Sequence, residues 1–231
     1  MNYLQYMDYL EQTHQVTLPS LYKQLAKDGM LDTQTGVPDW YADVFPTLAQ
    51  NPPFLLVSDG CEVYLPDEMI AHAKEFLPSQ DDGDWYYLKS DYQNRLVIFA
   101  HCGNGDVYAF YYEHDKHSEP QVVRICHNGD SEFVAKNLQE FMVYKMLEVV
   151  LIGEQGDPDT LKEHLLAQLR THSPYLTPSQ INCLNDVYQK EFIKDNDGYW
   201  ALLDDDEFNT LIDKTIPFNK RDETFEPFEY K

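Results

Sequence analysis

A chain of 231 residues can hold one sizeable domain with an appended piece, and 43% apolar content with 17 tyrosines is enough for a core, which excludes wholesale disorder. Forty acidic against 17 basic residues give a net charge of −23, which repels nucleic acid and anionic lipid and attracts cations or basic proteins; the same charge can also serve solubility alone. No apolar run reaches the roughly 18 residues of a membrane span, and the start MNYLQYMDYLEQ lacks a signal peptide's basic residues and apolar centre, so a cytoplasmic protein with no membrane partner is expected.

The first elements read as short helices. Tyr3, Tyr6, Met7 and Leu10 share one face, and after Pro19 so do Leu21, Tyr22 and Leu25, up to a stop near Gly29. The period then changes, with FLLV (54–57) and CEVYL (61–65) as short strands around Ser58-Asp59-Gly60. From Pro66 a helix is expected, because proline and two acids suit a first turn and Met69, Ile70, Ala73 and Phe76 form a stripe. DWYYL (84–88), RLVIFAHC (95–102), VYAFYYE (107–113) and QVVRIC (121–126) then predict an antiparallel meander. With Asn104-Gly105 as a primed two-residue turn, Cys102 faces Val107, Ala100 faces Ala109 and Ile98 faces Tyr111. A helix capped by Ser131 and running through Val134, Leu138, Phe141 and Met142 is expected to cover the small-residue face.

The carboxy-terminal third reads as helical. After a break at Gly153 and Gly156-Asp157-Pro158, Leu161, Leu165, Leu166 and Leu169 recur at helical spacing. Thr177-Pro178-Ser179-Gln180 has the spacing of a capping box before Ile181, Leu184, Tyr188 and Phe192, and residues 199–216 predict a further helix. FNKRDETFEPFEYK, without periodicity, reads as an extended or mobile tail. The expected architecture is α+β: an antiparallel sheet flanked by helices over 1–152, and a helical carboxy-terminal extension over 153–231.

Chemistry-bearing motifs resolve mostly into turns. Gly103-Asn104-Gly105-Asp106 lacks the Lys-Ser/Thr of a phosphate loop and leads into a strand, and His127-Asn128-Gly129-Asp130 reads as a strand-to-helix turn. His101, Cys102, His114, His117, Cys126 and His127 crowd one region, yet the adjacent pairs point to opposite strand faces, so no zinc site is expected. Aligning Gly198 of Asp195-Asn196-Asp197-Gly198 with a calcium loop's sixth position puts Ile193 at the first ligand position, where the pattern fails. The cysteines Cys61, Cys102, Cys126 and Cys183 suit reduced thiols. No catalytic residue, metal or cofactor is expected; a small hydrolase remains the third reading, behind two kinds of binding protein.

Leu18, Pro19 and Tyr22, the VYLPDEM segment (63–69), the tryptophan of GDWYYL, Gly105-Asp106-Val107-Tyr108, and Ala135, Leu138, Phe141 and Met142, in this order, resemble the SUKH superfamily over roughly residues 15–145. Leu138 departs from the family's more usual aromatic. The resemblance implies an α+β binding domain. Bacterial members are mostly immunity proteins that neutralise a cognate toxin, often a nuclease, and other branches are regulators or adaptors. A toxin of that kind is basic, which suits the acidic chain. Two stretches pair acids with an aromatic anchor: Asp81-Asp82-Gly83-Asp84-Trp85 and Tyr112-Glu113-His114-Asp115. Asp81, Asp82, Asp84, Glu113 and Asp115 are therefore expected to form an acidic rim for the partner, with Tyr112 as a contact and Trp85 buried beneath; a solvated loop beside a core aromatic is the alternative for each.

Overall fold

The structure is a computed structural model that describes residues 3–34, 37–58, 61–65, 68–69, 83, 86–127, 129–152, 157–194 and 198–231. Most of the helix expected from Pro66 lies outside the described residues. In chain order the main elements are helices α1 (Tyr3–His14), α2 (Ser20–Lys27), α3 (Trp40–Asp43) and α4 (Phe45–Leu48), then strands β1 (Glu62–Val63), β2 (Tyr86–Leu88), β3 (Leu96–His101), β4 (Val107–Tyr111), β5 (Gln121–Ile125) and β6 (Ser131–Ala135). Helices α5 (Leu138–Ile152), α6 (Pro158–His172) and α7 (Pro178–Tyr188) follow, then β7 (Ile193–Lys194), β8 (Trp200–Ala201), α8 (Asp205–Thr215), β9 (Thr224–Phe225) and β10 (Phe228–Tyr230). The fold is α+β, as expected, around a six-stranded antiparallel sheet in the order β1-β3-β4-β5-β6-β9.

Two compact units interleave along the chain. One comprises Met1–Asp28, Glu62–Leu138 and Asn219–Lys231, the other Gly29–Cys61 and Gln139–Phe218.

In the first unit the Leu-Pro-x-x-Tyr segment seats α2. Leu18, Pro19 and Tyr22 are buried, and Tyr22 meets Phe110 and Phe99 edge-on with centroids at 5.5 and 6.4 Å. Its hydroxyl donates to the Tyr64 carbonyl at 3.2 Å, which satisfies a polar group that burial would otherwise penalise. Phe99 and Phe110 stack at 4.2 Å because β3 carries a bulge: Ile98 pairs with Ala109, yet Ala100 pairs with Tyr108. That extra residue shifts the hairpin end by one position, so His101 and not Cys102 opposes Val107. The expected primed turn is accordingly replaced by a three-residue loop. Gly105 N–H donates to the Cys102 carbonyl at 3.0 Å, Cys102 N–H donates to the Asp106 carbonyl at 2.8 Å, and Gly105, not Asn104, takes a positive φ of 93°.

Three further expectations for this unit change. Ser131 caps no helix: residues 131–135 form β6, and the Ser131 hydroxyl accepts the Cys126 N–H at 3.1 Å across the turn between β5 and β6. β2 leaves the meander and pairs with β10, placing Tyr86 opposite Tyr230 and Leu88 opposite Phe228. The last residues, read as a tail, are extended but paired, since β9 joins β6 with Phe225 opposite Ser131. Their alternating aromatics account for it. Phe225 is buried and meets Tyr111, Tyr92 and Phe133 at 4.9, 5.1 and 5.2 Å, while Pro227, which has no N–H to pair, falls between the two strands and accepts the Lys89 N–H at 2.8 Å.

The second unit is helical. In α5, Phe141, Met142, Val143, Met146 and Leu147 are fully buried, the signature of a helix apolar on every side. The capping box read at Thr177 is present at α7, with Thr177 and Gln180 exchanging side-chain to backbone bonds. Tyr188 at the end of α7 donates to the Met146 carbonyl at 2.8 Å. Residues 199–216 divide into β8 and α8, because Asp204 accepts the Glu207 N–H at 2.8 Å and so starts the helix there. FLLV is a turn and not a strand: Leu55 has φ +56°, and side chains of α6 take its backbone donors in place of a ladder. Asp195, Asn196 and Asp197 lie outside the described residues, and β7 and β8 pair on either side of them.

Candidate partner-binding surface

Asp81, Asp82, Asp84 and Trp85 lie outside the described residues. The second stretch, Tyr112 to Asp115, is described in full. Tyr112, expected as a contact, is 1% exposed. It continues the Tyr108 and Phe110 alternation inward; its N–H donates to the Arg95 carbonyl and its hydroxyl to the Thr17 carbonyl, both at 2.9 Å, and burial pushes its phenol above the ordinary range. It is a core ring that ties the hairpin end to the segment after α1. Glu113 is half-buried and ion-paired with Lys220, and it also accepts from Gln121 at 3.2 Å. The hydrogen bond from Lys220 lowers its pKa against the opposing effect of burial, so its charge is committed inside the protein. Asp115 is exposed and closes its own turn, accepting the His117 N–H at 2.9 Å and the Ser118 hydroxyl at 2.7 Å. Of these three residues, Asp115 is the exposed one.

A second constellation assembles where the turn before β4 meets the end of β5. Tyr108 pairs with Arg124, which sets the Arg124 side chain beside Asp106, the residue just before β4. Asp106 Oδ2 accepts from Arg124 Nη2 at 2.6 Å, Arg124 Nε at 3.0 Å and Asn104 Nδ2 at 3.1 Å; Oδ1 accepts the His127 N–H at 3.1 Å and lies 2.9 Å from His127 Nδ1. Burial at 3% exposure pushes the Asp106 carboxyl pKa up, but the bonds from His127, Arg124 and Asn104 together outweigh it and hold the group well below the usual carboxylate range. A carboxylate so saturated with donors clamps two turns together; it has no basicity to spare for proton abstraction. Cys126 next to it is no nucleophile at neutral pH, because burial pushes its thiol up to about 11.

Beside the clamp a cleft of about 120 Å³ opens between Gly105, Cys126 and His127 on one wall and Tyr86, Phe228 and Tyr230 of the β2–β10 ribbon on the other. Tyr230 is 81% exposed and Tyr86 38%. Asp106, Arg124 and His127 were not legible as a unit in the sequence. The signal was the pairing of two turns, Gly-Asn-Gly-Asp and His-Asn-Gly-Asp, whose flanking strands neighbour each other in the sheet. Among the described residues no group of three or more His, Cys, Asp or Glu side chains could hold a metal ion, and no helix is long and apolar enough to cross a membrane.

Residues 6–143, more than half of the 231-residue chain, match the model of the SMI1 / KNR4 family (SUKH-1). No curated protein and no solved structure matches the chain.

Proposed function

The chain belongs to the SMI1 / KNR4 family (SUKH-1), a generally non-catalytic family of immunity-like and regulator-like proteins, and we propose that it acts in the cytoplasm as an immunity protein that captures a cognate basic toxin stoichiometrically. The observation that carries this reading is the net charge of −23 on a domain of this family. A basic nuclease presents a positive substrate cleft, and opposite charge speeds its capture and disfavours wrong partners. Asp81, Asp82 and Asp84, with the exposed Asp115, form the steering rim in this proposal. Glu113 is left out of it because Lys220 already neutralises it.

The test is co-expression with the toxin encoded beside its gene, followed by purification of the mixture. Protection of the cells and a one-to-one complex are expected. A regulator on the same fold would bind a protein of its own cell and give no protection, and that result would sink the immunity reading.

A further inference from the structure

The aromatic cleft beside the clamp is open and is not used in holding the two turns. Tyr86 and Phe228 meet edge to face at 5.3 Å and 83°, and Tyr230 lies tilted against Tyr86 at 6.4 Å. The faces of such rings carry negative potential, to which a cation is drawn. The opposite wall is as specific. His127 Nδ1 sits 2.9 Å from an ionised Asp106, a geometry that puts a proton on Nδ1 and so leaves Nε2 as the acceptor of the Nδ1–H tautomer. The ring lies against Gly105, where a Cβ would meet His127 Nδ1 at 3.4 Å, an ordinary van der Waals contact. A volume of about 120 Å³ is the size of one side chain and too small for a helix or a drug-sized ligand.

The geometry points to this cleft as the seat of one arginine side chain of a basic protein partner, its guanidinium lying on the Tyr86 and Tyr230 rings and donating to His127 Nε2. Arginine fits better than lysine because the planar guanidinium stacks on aromatic faces and gives up its hydration more readily than an ammonium. The chain's net charge of −23 raises the local concentration of such cations. This inference rests on the reading of the protein as a trap for a basic partner and supplies that partner's anchor.

The experiment needs no toxin. Isotope-labelled protein is titrated with the blocked peptide Gly-Gly-Arg-Gly-Gly and with its citrulline counterpart, a neutral isostere, while the ring resonances of His127 and Tyr230 are followed. Saturable shifts with the arginine peptide are expected, weaker by about tenfold with citrulline and by a similar factor in Tyr230→Ala, in line with the loss of a cation–π contact. Tyr230→Phe should retain binding, because the ring face and not the hydroxyl acts. An equal response to citrulline, or arginine shifts undiminished in Tyr230→Ala, would overturn the proposal. Arginine binding without protection of cells would keep the cleft and remove the immunity reading; protection without any arginine response would do the reverse.

Discussion

Gln168 and His172, one turn apart on α6, hold the backbone of a single loop: Gln168 Oε1 accepts the Val57 N–H at 3.0 Å and His172 Nε2 accepts the Leu55 N–H at 3.1 Å. The second bond demands a bare Nε2, so Nδ1 carries the proton and donates to the Gln168 carbonyl at 2.9 Å. Burial pushes the His172 pKa down from 6.5 to about 4. Because the folded value lies below the unfolded one, the unfolded chain takes up the extra proton between about pH 6.5 and 4. Stability from this residue is complete above that window and is lost as pH falls through it, by roughly 3 kcal/mol at pH 4. Denaturant unfolding of the wild type and His172→Gln from pH 7 to 4 measures this, and the variant should show the shallower fall. Parallel curves would remove His172 as the titrating group.

Asp106 shifts stability in the same direction, but at lower pH. Its folded pKa is depressed, so its contribution is intact above the ordinary carboxylate range and is lost only in stronger acid, outside the His172 window. Asp106→Asn leaves Arg124 with Glu132 at 3.4 Å as its remaining ion pair, and the expected cost is about 2 kcal/mol, held down by the partial exposure of Arg124. Pairing it with Arg124→Met should recover part of that loss, since the partly buried guanidinium that lost Asp106 is then absent. Strict additivity of the two changes in a double-mutant cycle would mean that the clamp does not couple them.

What the sequence revealed and what it hid follow from distance along the chain. The α7 capping box and the α2 anchor of Leu18, Pro19 and Tyr22 are local, so spacing alone exposed them. The β2–β10 ribbon joins residues such as Tyr87 and Glu229, 142 positions apart, and no periodicity can signal that pairing. Tyr112 looked like a surface anchor because acids follow it, yet strand alternation with Phe110 turns it inward. Asp106 and His127 each sat in a stretch read as a turn, the second as one leading into a helix where β6 follows; only the register of β4 on β5 makes the two turns one site. The one-residue bulge at Phe99 likewise left no mark in the composition of β3 and still moved the whole hairpin end.

Gly105→Val tests that hairpin end. A β-branched residue at φ +93° is strained, so a loss of about 1 to 3 kcal/mol is expected in chemical denaturation. Gly105→Asn should cost less, because asparagine tolerates positive φ. Equal stability of the valine variant and the wild type would show that the loop readily adopts another conformation.

Steering charge and structural charge are separable in the proposed rim. Reversing Asp81, Asp82 and Asp84 to lysine should slow association with the toxin by about tenfold at low salt and flatten its salt dependence, leaving dissociation and melting nearly unchanged, because rim charges act on encounter. Glu113→Gln should do the opposite. It frees Lys220 from an ion pair whose side chains are only 31% and 25% exposed, so about 1 kcal/mol of stability should be lost while the association rate holds. Stopped-flow association at several ionic strengths, set beside denaturant melts of the same variants, distinguishes the two. If the triple reversal leaves both the rate and its salt dependence untouched, the Asp81 to Asp84 loop is not where the partner arrives, and α6, α7 and α8 become the surface to reverse next.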